Sequence, residues 1–164
     1  QEQCLYRFYQ EKDFFQLCET LHTIFFKENF SCLEDKIQSL VCQKPTAIEV
    51  LEAITKIFPN QKGIPQNTKS ACKRLCLFLR WMIRKNSEVD FGIWNILQEK
   101  DLIIPLDTHV FRISKQLSLT NRKQADMLSA IQITEKLKIT FPDDPLLGDY
   151  ALFGYGVKHQ EKTK

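Results

Sequence analysis

The sequence predicts an all-α protein, and three observations carry that expectation. Apolar residues recur at helical spacing along almost the whole chain. No stretch sustains the alternation of a strand. The 164 residues include only 5 Gly and 6 Pro, too few for the many turns of a β-sandwich. A hydrophobic content of 43% with 12 Phe suits a globular chain and excludes a disordered one. That length allows one sizeable core or two small lobes sharing a cleft, here about residues 1–60 and 61–164.

Each element follows from its pattern. Asp13 to Glu28 sets Phe14, Leu17, Leu21, Ile24 and Phe25 on one face of a helix. A shorter helix starts at Ser31 with Leu33, Ile37 and Leu40. The next begins at Pro45-Thr46, where Thr46 and Glu49 have capping-box spacing, and buries Ile48, Leu51, Ile54 and Ile57 or Phe58. Phe58 to Thr68 is a connector, with Pro59, Asn60, Gly63, Pro65 and Asn67 as turn formers. A helix over Lys69–Lys85 follows, then a short one over Asp90–Leu97. Further helices are expected from Asp107, over Ala125–Leu137, and from Asp143 or Asp144 to Tyr155 with Pro145 in the first turn.

The cysteines are Cys4, Cys18, Cys32, Cys42, Cys72 and Cys76, and none forms a C-x-x-C pair. Cys72 and Cys76 stand one helical turn apart, which suits a metal edge but more often marks two small core residues. His22, His109 and His159 are not grouped with them, so neither a metal site nor another cofactor is expected. The chain opens Gln1-Glu2-Gln3-Cys4, which reads as a processed or truncated product. Without a secretory signal, the expectation is reduced thiols and a cytoplasmic protein. No apolar run approaches the roughly 18 residues that span a bilayer, so no membrane partner is expected.

Net charge is only +3, yet charge is unevenly spread. From Ala53 to Ser87 stand Lys56, Lys62, Lys69, Lys73, Arg74, Arg80, Arg84 and Lys85, with no acid among them. On the expected Lys69–Lys85 helix, Ala71, Leu75, Phe78, Leu79 and Met82 make the apolar face. Lys69, Lys73, Arg80 and Arg84 form a basic stripe opposite it. Such a stripe beside a turn-rich loop suits a nucleic-acid backbone, because its cations displace counterions. The plainer reading is a solvated face.

Ile103 to Leu119 reads IIPLDTHVFRISKQLSL. After the apolar run and proline, Asp107 opens an amphipathic helix with Val110, Ile113 and Leu117 on one side and His109, Arg112 and Lys115 on the other. A carboxylate there stabilises either a cation developing on a bound sugar or the backbone N–H groups of the helix start. The second role is the commoner one.

Together, the loop, basic helix, connector and PLDTHVFRI resemble the helix-hairpin-helix DNA glycosylase superfamily, the endonuclease III-like and MutY-like enzymes. Ile64 to Ala71 sits at the hairpin, and Leu106-Asp107-Thr108-His109-Val110-Phe111-Arg112 is similar to the V-D-T-H-V-x-R motif. SACKRLCLFLRWMIRK, VDFGIWNIL, LIIPLDTHVFRI and DYALFGYGV resemble, more narrowly, a bacterial family known mainly as a domain of unknown function. This chain departs from the superfamily in lacking the hairpin G-x-G and the four-cysteine cluster, so no iron–sulfur cluster is implied.

The resemblance implies two helical lobes around a cleft and base-excision activity on a flipped base, with or without AP-lyase activity. It implies a catalytic role for Asp107 and an attacking amine at Lys69 or Lys73, with Lys73 favoured by the narrower SACKR motif. It implies DNA-backbone contacts from Ser70, Arg74, Arg80, Arg84, His109 and Arg112. N-terminal helices of the narrower family are not recognisable, so a missing segment or a homo-oligomer is expected to cover an apolar patch. Two other readings stand beside it. One is a non-catalytic nucleic-acid-binding module of the same fold. The other is a helical interaction domain that exposes Trp81 or Trp94.

Overall fold

The structure is a computed structural model that describes residues 4–6, 9–85 and 87–160. It is mostly helical, in two compact units, Gln1–Asn67 and Thr68–Lys164. The first unit ends at Asn67, not near residue 60, because the connector folds back onto its own helices. Gln61 Nε2 donates to the Asp13 carbonyl at 2.9 Å, and Gln16 Nε2 donates to the Pro59 carbonyl at 3.0 Å.

The first unit begins with strands β1 (Cys4–Tyr6) and β2 (Tyr9–Gln10), paired antiparallel. They are too short to leave a period in the sequence. Helix α1 (Glu11–His22) starts ahead of Asp13, whose carboxylate instead accepts the Gln10 N–H at 2.8 Å. Its continuation widens into a π-helix, Thr23–Lys27, where Glu28 N–H donates to the Thr23 carbonyl at 2.9 Å. Ile24 is buried there, while Phe14, Phe15 and Phe26 stay exposed. Helix α2 (Leu33–Gln38) buries Ile37. Helix α3 (Ala47–Ile57) carries the expected capping box. Thr46 N–H donates to Glu49 Oε2 at 2.7 Å, and Glu49 N–H donates to Thr46 Oγ1 at 3.3 Å. Its buried face is Ala47, Val50, Leu51, Ala53 and Ile54, rotated from the expected one so that Ile48 and Ile57 are only half-buried.

The second unit opens with Ser70 bridged to Asp126 in antiparallel fashion. Cys72 then takes a left-handed conformation, φ +46°, a strained choice for a residue with a Cβ, and turns the chain into α4 (Lys73–Ile83). The helix therefore starts four residues later than Lys69. Leu75, Cys76, Leu79 and Ile83 are its buried face. The helix expected over Asp90–Leu97 does not form. Phe91 and Gly92 N–H both donate to the Trp81 carbonyl at 2.7 and 3.1 Å, and Trp94 N–H donates to the Met82 carbonyl at 2.8 Å. These bonds close the end of α4 and leave none for a local helix. Gly92 has φ +60°, and a Cβ on it would meet Arg84 O at 2.7 Å, so this return loop requires glycine.

After a 3₁₀ turn (Glu99–Asp101), Leu102, Ile103, Ile104 and Leu106 run buried into α5 (Thr108–Gln116), with Ile104 N–H donating to Thr134 Oγ1 at 3.0 Å. Asp126 caps α6 (Met127–Lys138) by accepting Ser129 N–H at 2.9 Å and pairs with Arg122. Helix α7 (Leu147–Gln160) packs on α5 and approaches α6 closely, since a Cβ on Gly148 would meet Leu137 at 2.6 Å. Among the described residues no helix is long and apolar enough to cross a membrane.

Candidate functional site

Asp107 ends the buried Leu102–Leu106 segment with extended backbone and caps α5. Its Oδ1 accepts the Val110 N–H at 2.7 Å. That leaves Oδ2 for a second partner, and Lys73 Nζ donates to it at 2.8 Å. The cap reading and the site reading thus use different oxygens of one carboxylate. Asp107 is partly exposed, and the Lys73 side chain is about half exposed (48%), so the amine faces solvent while paired. Partial burial works to raise the Asp107 pKa. The Lys73 hydrogen bond, the Val110 and His109 N–H groups and the Lys73 charge together bring it below its ordinary value.

Lys73 is the first residue of α4, delivered by the turn at Cys72. Lys69 is exposed but lies before the bridge at Ser70, so the two lysines do not share a helical face as expected. Ser70 is exposed and its Oγ lies 3.6 Å from Cys72 Sγ. Arg74 is exposed beside Lys73. Arg112 is exposed on α5, with Nη2 3.3 Å from His109 Nδ1. His109 meets the Phe153 ring of α7 edge-on at 6.3 Å.

The basic stripe is not an open surface. Arg84 is only 3% exposed. Its Nε and Nη2 donate to Asp144 Oδ2 at 2.9 and 2.7 Å, and Nη1 donates to Asp90 Oδ2 at 2.7 Å. Arg80 Nη1 donates to Asp149 Oδ2 at 3.3 Å, and its Nε stands 3.5 Å from Asp90 Oδ1. The Tyr150 ring lies 5.1 Å from the Arg80 guanidinium and 5.6 Å from that of Arg84. Both arginines are thus drawn inward by carboxylates from the Gly92 loop and from α7 and the turn before it. Neither faces outward to meet a phosphate, which corrects the expected DNA-contact role of each.

Asp144, Asp149 and Tyr150 escaped sequence reasoning because each lies 60 or more residues from its arginine partner, and Asp90, only six residues from Arg84, because its spacing reads as the start of a helix. The signal was there in DYALFGYGV, whose first two residues are Asp149 and Tyr150. Burial holds the Asp149 carboxyl up at about 6. Arg80 opposes the rise, Asp107 adds to it, and Lys73 and Arg84 oppose it. Asp149 therefore feels both members of the Lys73–Asp107 pair.

Cys72 and Cys76 are buried core residues. Burial raises both thiols, Cys76 to about 12, so neither is poised as a thiolate. Among the described residues no three His, Cys, Asp or Glu side chains gather closely enough to hold a metal ion. Trp94 is buried, edge-on to Phe78 at 5.2 Å, and only Trp81 of the two tryptophans is exposed. An accessible amine on a carboxylate, backed by a buried carboxyl of raised pKa, can supply a nucleophile, a stabilising anion and a proton acceptor.

No curated protein and no solved structure matches this chain. Residues 1–158 match the family described as "Protein of unknown function (DUF2400)", and the chain belongs to that family.

Proposed function

We propose that this protein is a base-excision DNA glycosylase with an associated lyase step, built on a helix-hairpin-helix glycosylase-like fold. The observation that carries the reading is the 2.8 Å contact between Lys73 Nζ and Asp107 Oδ2 at the start of a helix. The resemblance of PLDTHVFR to that superfamily assigns chemistry to Asp107, and of the two lysines that it offers as the attacking amine, Lys69 and Lys73, the contact favours Lys73. Asp107 stabilises the positive charge that develops at C1′ as the base departs with the bonding electrons. The neutral Lys73 amine forms a bond to C1′, the C1′–O4′ bond then breaks as O4′ takes the proton that the nitrogen loses, and the resulting imine leads to strand cleavage. Exposed Lys69, Arg74 and Arg112 supply backbone contacts in place of Arg80 and Arg84.

Duplexes carrying single oxidised, deaminated or mismatched bases test this reading. Wild-type protein releases one such base, while Asp107→Asn binds the same duplex and releases it about a hundred- to a thousand-fold more slowly. Absence of base release from every duplex ends the proposal. One observation favours an interaction domain instead. Val89, Phe91 and Ile93 are 67, 71 and 62% exposed on the loop pinned to Trp81, itself exposed.

A further inference from the structure

Resting on the reading of Lys73 as an attacking amine, the inference concerns a residue which that chemistry has not yet used. The ion pairs of this region join Lys73, Arg80 and Arg84 to Asp90, Asp107, Asp144 and Asp149. Among the described residues these pairs join three cations to four carboxylates, one more negative charge than positive within the paired set. The Asp90 side chain is fully buried and touched by both arginines. Asp144 takes two bonds from Arg84, and its other oxygen accepts the Leu146 N–H at 3.1 Å. Asp149 has a single contact with Arg80, at 3.3 Å, and is the least firmly held of the three. Its position is defined by neighbours: α7 packs on α5, and Phe153, one turn beyond Asp149, meets His109, two residues beyond Asp107.

A lysine that attacks carbon must first lose a proton. If that proton left the region, the excess would grow from one negative charge to two around largely buried carboxylates, which is costly in a weakly screened site. We propose that Asp149 accepts the proton that Lys73 gives up, so that the charge of the region stays constant while the amine becomes nucleophilic. One N–H bond of the ammonium breaks, one O–H bond forms on the Asp149 carboxyl, and the lone pair stays on Nζ. Asp107 is the weaker base of the two, because its Oδ1 is taken by the Val110 N–H and its carboxyl is held below its ordinary value by Lys73 and the α5 N–H groups. The charged and titratable groups around Asp149 are Arg80, Arg84 and Lys73 on α4, Asp107 and His109 at the start of α5, Asp90 on the Gly92 loop, and Tyr150 beside it. Asp149 is thus a positioning residue for protons, separate from the groups that touch the sugar.

Carbon-13 NMR of aspartate carboxyls in the full chain tests the exchange without any DNA. The Asp149 resonance is identified by its loss in Asp149→Asn, or by its displacement in Asp149→Glu where the amide variant does not fold. Its titration midpoint lies near 6 in the wild type. It rises by about one unit in Lys73→Met and falls in Asp107→Asn, since the Lys73 charge lowers it and the Asp107 charge raises it. A midpoint near 4, or one indifferent to Lys73→Met, overturns the proposal. Borohydride trapping on an abasic-site duplex supplies the second arm. Asp149→Asn slows trapping at least about tenfold with DNA affinity unchanged, and Asp149→Glu recovers part of the rate. Trapping by Asp149→Asn at the wild-type rate overturns the proposal and leaves the glycosylase reading standing. No trapping by the wild type removes that reading, and the NMR midpoints still decide the role of Asp149.

Discussion

Lys73 and Asp107, 34 residues apart in sequence, meet at 2.8 Å because each begins a helix and the two helix starts face each other. The carboxylate divides its work, Oδ1 to the Val110 N–H and Oδ2 to the amine. Structural and chemical roles therefore separate by substitution. Asp107→Asn keeps the cap and leaves stability within about 0.5 kcal/mol, whereas Asp107→Ala loses about 1 kcal/mol in urea unfolding. Base release by the Asn variant falls about a hundred- to a thousand-fold. Equal activity of Asp107→Asn and wild type would reduce Asp107 to a cap.

Arg84 belongs to stability and not to DNA. Arg84→Met leaves Asp90 and Asp144 buried without their shared guanidinium, so unfolding free energy drops by about 3–5 kcal/mol. A loss below about 1 kcal/mol would mean that water reaches this network and that its charges are weakly coupled.

Duplex binding depends on salt through the exposed cations. Lys69→Gln, Arg74→Gln and Arg112→Gln each lower the slope of log K against log salt by up to about 0.9. Arg80→Gln leaves that slope unchanged, since Arg80 is held by Asp149 and Asp90. The opposite ranking in fluorescence anisotropy titrations would restore the basic stripe.

Two carboxyls shape the acid limb in opposite directions. The Arg122 hydrogen bond first, against partial burial and with help from Ser129, holds Asp126 at about 2. Its stabilising contribution is complete above about 4 and is lost as pH falls through about 2. Asp149 sits at about 6 against an ordinary 3.8, so the folded chain binds a proton there that the unfolded chain has released. Its contribution therefore declines as pH rises from about 4 to about 6. Unfolding free energies of wild type and Asp149→Asn, compared across this range, diverge by that decline. A constant difference would contradict the raised pKa.

Much of the helical order was legible in the sequence. The Thr46–Glu49 box and the Asp107 cap follow from spacing and cap chemistry, as do Leu75 and Leu79 of the α4 core face, whereas Phe78 and Met82 are only half-buried and Cys76 and Ile83 complete that face instead. What escaped was set by distant partners. The start of α4 slid from Lys69 to Lys73 because Ser70 is bridged to Asp126, 56 residues on, and Cys72 reverses the chain. The Asp90–Leu97 helix was lost to backbone bonds made to the end of α4. Arg80 and Arg84 had the spacing of a surface stripe, and only the carboxylates of Asp90, Asp144 and Asp149 turn them inward. The sequence offered both Lys69 and Lys73 beside Asp107, and the contact of Lys73 needed the turn at Cys72, whereas Asp149 needed the packing of α7 on α5.

The most direct test is to reduce the protein with borohydride on a duplex bearing one abasic site and to map the modified lysine by mass spectrometry. The account predicts one adduct, on Lys73, lost in Lys73→Gln and retained in Lys69→Gln. An adduct on Lys69, or none on either lysine, would contradict it.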